Sequence, residues 1–211
     1  QGEGYIGWEK LKQLSHKQPY DAFLLGNSCT MAFDCSEWNK YIHAQPYRFF
    51  SNNENLGDLC VKLHALDSLY RRPVRYLLVI TEPSTFSSCV LRDGPMHIMP
   101  TDVSGASESK IQLTFFQSFL DTRFLLPYLR YQITGKYDRG MQNRISPYCP
   151  TRTLWTNDAI LHPEDTIKAQ GKRYWEGRQW TKLDADIARP VVEPAFIMQP
   201  QRDCLQTIRN F

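Results

Sequence analysis

The sequence predicts an α/β domain built on a parallel sheet, and three observations predict it. Apolar runs of strand length stand at residues 22–25, 47–50 and 75–81. Helix-like segments lie between them, the clearest at 56–70, where Leu59, Leu63, Leu66 and Tyr70 recur at three- and four-residue spacing. A strand, helix, strand, helix, strand order calls for right-handed crossovers, and so for parallel pairing. At 211 residues the chain can bury one substantial core.

Taken in order, residues 8–14 read as a short amphipathic lead-in, and Pro19 precedes the first strand, 22–25. That strand stops at Gly26-Asn27-Ser28. A helical segment follows to Ile42, with Asp34-Cys35-Ser36 able to break it in two. The second strand, 47–50, ends in a polar cluster at 51–55. The helix over 56–70 is stopped by Arg71-Arg72-Pro73. The third strand, 75–81, is apolar enough for burial on both faces. Residues 83–109, rich in Pro, Ser, Gly and Asp, read as a long functional or mobile loop. Helix returns over 111–133, where Pro127 should kink or split it and its aromatic residues suit a cap. Loops and short helices are expected over 135–194. Residues 191–198 could form a late strand, barred from a central position by Pro190 and Pro194. A helix begins at Arg202.

Composition excludes several functions. Hydrophobic residues at 42% and charged residues at 22% are ordinary for a globular domain. A net charge of +3 does not call for nucleic acid, and the basic, aromatic stretch 136–155 reads as a solvated loop. No run reaches the roughly 18 apolar residues of a membrane span. The chain begins Gln1-Gly2 without Met, so a removed N-terminal signal or anchor and an extracytoplasmic setting are expected, with a trimmed cytoplasmic protein as the alternative. Its six cysteines lack metal-ligand spacing, and neither GxGxxG nor a GK[ST] ending occurs, so no metal or cofactor is expected.

The chemistry-bearing feature is the strand end at Gly26-Asn27-Ser28. Ligands of open α/β sheets bind outside the carboxyl ends of the strands. Ser28 is therefore the candidate nucleophile, with an N-cap as the alternative use of the same side chain. Cys29 beside it is either a second nucleophile or a small buried residue at a helix start.

The pattern Asp21-Ala-Phe-Leu-Leu-Gly-Asn-Ser28, a helix, a short strand into Asn53-Glu-Asn-Leu-Gly57, a long helix and then 76–82 resembles the SGNH/GDSL hydrolase superfamily, most of all its cell-envelope, alginate O-acetyltransferase-like branch. The resemblance covers about the first 83 residues. It implies a flavodoxin-like three-layer α/β/α fold and a serine ester hydrolase or acyltransferase acting on acylated carbohydrate. By position Ser28 matches the nucleophile, and Gly57 the glycine whose N–H joins that of Ser28 in the oxyanion hole. Asn53 or Asn55 could add a side-chain donor, or serve as a turn or cap.

Serine chemistry also needs a base. The family's Asp-x-x-His has no counterpart here, and Thr81-Glu82-Pro83 stands where Gly-x-Asn-Asp is expected. Of the five histidines, His97 in the loop after the third strand is placed nearest the rim, with Glu82 or Asp93 as orienters. His16 and His43 read as surface residues, His64 as half-buried, and His162 has the wrong spacing. With three strands found where such a sheet usually has about five, the chain is expected to be C-terminally incomplete, its true base falling beyond Phe211. One domain is expected: a β/α core over 1–83, a loop and helical insertion over 84–200, and over 201–211 a helix returning to the core. A non-catalytic binding or scaffold module with the same pocket is the alternative.

Overall fold

A computed structural model describes residues 3–137, 141, 151–160, 163–176 and 199–211. Helix α1 spans Glu3–Leu14, and β1 (Ala22–Gly26), α2 (Cys35–Ile42), β2 (Pro46–Arg48), α3 (Leu56–Ala65) and β3 (Tyr76–Ile80) follow it. The strands form a sheet of order β2-β1-β3 with every pair parallel, Phe23 standing opposite Tyr47 on one side and Leu77 on the other. This is the flavodoxin-like arrangement, in which the first crossover runs from β1 out to β2 and the second returns in the opposite direction from β2 past β1 to β3. Right-handedness then puts α2 and α3 on opposite faces, giving the α/β/α layering.

The core gathers Trp8 and Leu11 of α1, Phe23 and Leu25 of β1, Tyr47 and Phe49 at β2, and Leu59, Leu63 and Leu66 of the third helix. Aromatic rings interlock there, Trp8 against Phe49 at 4.6 Å and Tyr20 against Tyr47 at 5.0 Å. All five residues of β1 are buried, as a central strand covered on both faces requires. Strand β3 is only half-buried throughout, which corrects the expectation of burial on both faces. Among the described residues β3 pairs with β1 alone, so one long edge has no neighbouring strand.

The segment after Ser28 does break. A 3-10 turn occupies Ser28–Ala32, and Asp34 then caps α2 by accepting hydrogen bonds from Ser36 N (2.6 Å) and Glu37 N (3.2 Å). The long helix over 56–70 is α3 followed by a π-helical turn, Leu66–Tyr70, which ends at Arg71 in the left-handed region ahead of Pro73. Within 83–109 there is more structure than a plain loop: a 3-10 turn at Pro83–Ser87 and α4 at Thr101–Ser104.

Helix α5 (Glu108–Leu120) and helix α6 (Thr122–Thr134) form a hairpin. The break falls at Asp121, whose side chain caps α6 through Arg123 N (2.8 Å), while Pro127 lies inside α6. A β4–β5 pair (Thr151–Arg152, Ala159–Ile160) and α7 (Pro163–Gln170) follow; α8 spans Gln199–Asn210, a turn earlier than the predicted start. The predicted late strand at 191–198 and His162 lie outside the described residues. No helix among the described residues is long and apolar enough to cross a membrane.

Candidate functional site

Gly26 makes the turn at the end of β1 possible. Its φ is +142°, and a Cβ there would lie 2.3 Å from the carbonyl oxygen of Ile80, so both the backbone conformation and the close approach of β3 require glycine. Asn27, buried, accepts a hydrogen bond from Cys29 N through its side chain (2.9 Å), and its carbonyl accepts from Thr30 N (3.0 Å) and Thr30 Oγ1 (2.8 Å). The cap of this turn is therefore Asn27. Ser28 is its first residue, exposed, with no hydrogen bond to its hydroxyl among the described residues.

Parallel register sets what stands beside Ser28. Gly26 is paired with Ile80, so Ser28 and Glu82 each lie two residues past a matched pair, at one level beyond the sheet. Glu82 accepts from Ser84 Oγ (2.6 Å) and from the thiol of Cys29 (3.1 Å). Those two bonds hold its carboxyl below the usual carboxylate range, and nearby Asn27 acts in the same direction without a well-formed hydrogen bond. Cys29 responds oppositely: the hydrogen bond to Glu82 pushes its thiol up. Cys29 is exposed rather than buried, and beside an anion it is a protonated donor, not an activated thiolate.

Two buried charge pairs support this turn from behind. Arg48, 1% exposed at the end of β2, donates to the carbonyls of Thr30 (2.9 Å) and Phe33 (3.3 Å) and faces Asp158 at 3.4 Å. Burial lowers its pKa, and Asp158 opposes the shift. Glu54 forms an ion pair with Lys62 of α3, both essentially without exposure, and Lys62 donates to Ser51 Oγ at 2.6 Å. Burial pushes the Glu54 carboxyl up, while Lys62 and the adjacent Gly26 N–H favour its charged form. Neither pair was foreseen from the sequence. Lys62 did leave a signal, since it falls on the same helical stripe as Leu59, Leu63 and Leu66.

The other sequence-derived candidates have definite places. Asn55 is fully buried as the N-cap of α3: its Oδ1 accepts from Asp58 N (2.9 Å), and its Nδ2 donates to the Val90 carbonyl (2.9 Å). Asp58 completes a capping box. Gly57 is buried beneath residues 89 and 90, and a Cβ on it would stand 2.4 Å from the Cys89 carbonyl oxygen. Asn53 is exposed in a left-handed turn with φ 46°. His97 is half-buried in a cavity lined by Leu91, Arg92, Met99, Lys110 and Ile111 among others, none of them from the 26–30 turn. Burial lowers its pKa, with Asp58 opposing and Arg92 adding to the shift. Asp93, its suggested orienter, is instead ion-paired with Lys110 at 3.0 Å. His16, His43 and His64 are exposed.

The structure thus brings Ser28, Cys29 and Glu82 to one rim and places Asn55 and Gly57 under a covering loop. Among the described residues no cluster of His, Cys, Asp or Glu has the geometry to hold a metal ion. No protein-family model, curated protein or solved structure matches the chain.

Proposed function

We propose that this chain is a serine-dependent ester hydrolase or O-acyltransferase acting on acylated carbohydrate of a bacterial cell envelope, with Ser28 as nucleophile. The observation that carries the reading is the exposed Ser28 hydroxyl at the carboxyl end of the central strand, held on a glycine-dependent turn whose capping is done by Asn27. In the reaction Ser28 Oγ bonds to the acyl carbon, and the sugar oxygen leaves with a proton. The acyl group then passes to water or to a second sugar hydroxyl, which restores Ser28. Glu82, with its lowered pKa, is a weak proton acceptor and a strong electrostatic partner. Its role is to orient and stabilise a positive or proton-donating group at the rim rather than to take the Ser28 proton itself.

A second reading, a non-catalytic binding or scaffold module at the cell surface, draws on a specific observation: the Asn55 side chain is engaged in capping α3 and in holding the Val90 carbonyl, and Gly57 lies beneath residues 89 and 90. One experiment separates the two. The chain and its Ser28→Ala variant are incubated with a fluorophosphonate and read by intact mass and peptide mapping. A single adduct on Ser28, lost in the variant, is the expected result. Absence of labelling, or labelling that survives Ser28→Ala, overturns the esterase reading and leaves the binding module.

A further inference from the structure

Three cysteines far apart in sequence meet where α8 lies on α3. Cys60 belongs to α3, Cys89 to the stretch after the Pro83–Ser87 turn, and Cys204 to α8; all three are half-buried free thiols. The Cys60 thiol donates to the Cys204 carbonyl at 3.6 Å. Cys89 lies on the same face of α3, its carbonyl over Gly57, one turn before Cys60. Independent contacts fix the meeting point: Gln201 Nε2 of α8 donates to the Phe86 carbonyl at 3.4 Å, and Ile208 packs on the core.

The position of Cys89 gives the cluster significance. Its carbonyl, and that of Val90, form the cover over Gly57 and Asn55 at the start of α3. A bond from Cys89 to α8 would fasten that cover to the C-terminal helix. Cys204 is the cysteine of α8 that reaches this place: its carbonyl accepts from Cys60, one turn along α3 from the glycine that the Cys89 carbonyl covers. Burial pushes all three thiols up, Cys89 to about 11, so the attacking thiolate is a minor species at neutral pH.

We infer that Cys89 and Cys204 are an oxidative cross-linking site, which tethers α8 to the loop covering the start of α3 and leaves Cys60 as the unpaired thiol. The oxidant is a small-molecule or protein disulfide. One cysteine, as thiolate, attacks the oxidant's S–S bond and expels one thiol; the other then attacks the mixed disulfide and expels the second. The two cysteines give up two electrons and two protons, and the oxidant disulfide is reduced to two thiols. This inference does not depend on the esterase reading.

The test is oxidation of the chain with oxidised glutathione, followed by alkylation of the remaining thiols, denaturing digestion and peptide mapping. The expected product is a Cys89–Cys204 linked peptide and a chain lighter by about two mass units, with Cys60 alkylated. The cross-link should survive Cys60→Ser and vanish in Cys89→Ser and Cys204→Ser, and circular dichroism establishes that each variant is folded. Closing so long a loop should raise the Tm of the oxidised chain by roughly 5 °C or more. A cross-link mapped to Cys60, alkylation of all three thiols after oxidation, or glutathione adducts without an internal link would overturn the inference. A Cys89–Cys204 link without a rise in Tm would overturn the tether.

Discussion

The rim of the parallel sheet and the α5–α6 hairpin are built on opposite terms. Around Gly26 to Thr30, charged side chains are buried and assigned: Arg48 with Asp158, and Glu54 with Lys62, which also donates to Ser51. In the hairpin, polar side chains lie outside and so do many apolar ones, among them Phe116 at 59% exposure and Ile133 at 83%. Its rings pack mainly on one another, Phe119 with Phe124 and Tyr128, each at 5.8 Å. The contrast shows where this sequence specifies geometry. Desolvated charges tolerate few alternative arrangements, because an unpaired charge in the interior costs several kcal/mol, whereas an exposed apolar face tolerates many.

The largest effect expected from breaking this contrast comes from Lys62→Met, which leaves Glu54 buried without its counter-ion. A loss of about 3–5 kcal/mol is expected, measured as the shift in urea midpoint at constant slope. Replacing both partners, Glu54→Leu with Lys62→Met, should recover most of that loss, since two matched apolar groups carry no desolvation cost. If the single and double variants are equally destabilised, the pair does not act as a unit. Gly57→Ala comes next. Its methyl group would meet backbone atoms of residues 89 and 90 at 2.4–2.8 Å, and overpacking of this kind costs about 1–3 kcal/mol. The covering loop must move outward to admit it, so hydrogen exchange at residues 89–92 should rise in the variant.

A smaller effect belongs to Asp34, the cap of α2. Burial raises its carboxyl, but hydrogen bonds from the Ser36 side chain and from the Glu37 and Ser36 backbone outweigh this, and its pKa falls below the ordinary 3.8. A carboxyl lowered on folding stabilises the fold above its unfolded pKa and loses that contribution as pH falls through its folded value. Asp34→Ala should therefore cost about 1 kcal/mol at neutral pH, with the difference from the parent chain shrinking below pH 3.8. A deficit that stays constant into acid would show that the carboxylate is not the source.

Much of the core was legible because its signals are local. The buried run at 22–25 and the Leu59-Leu63-Leu66 stripe state their periods within a dozen residues, and the strand–helix alternation then fixes parallel pairing. Ser28 was legible as a rim residue for the same reason, since a glycine after a buried strand marks the turn. What escaped was long-range. Arg48 meeting Asp158 spans more than a hundred residues of chain, and Glu54 sits inside a polar cluster that reads as an ordinary turn. The roles of Asn55 and Gly57 depend on which loop passes over them, and no pattern near residue 55 announces residues 89 and 90. The hairpin break was misplaced because Pro127 is a stronger general breaker than Asp121; the acid won by capping the second helix with its own side chain.

The hairpin supplies the smallest predicted effect and the sharpest control for the comparison. Phe116→Ser and Ile133→Ser remove large apolar groups from positions that are 59% and 83% exposed. Little area returns to water in either case, so each should change stability by no more than about 0.5 kcal/mol. Phe119→Ser differs although it lies on the same hairpin and is itself 42% exposed, because its ring joins two others and contributes to holding α5 against α6. Its loss should add roughly 0.5–1.5 kcal/mol of lost ring contact. Urea unfolding of the three variants side by side decides the matter. If Phe116→Ser costs as much as Phe119→Ser, the exposed face is covered by something in solution, and the two regions are not built on opposite terms after all.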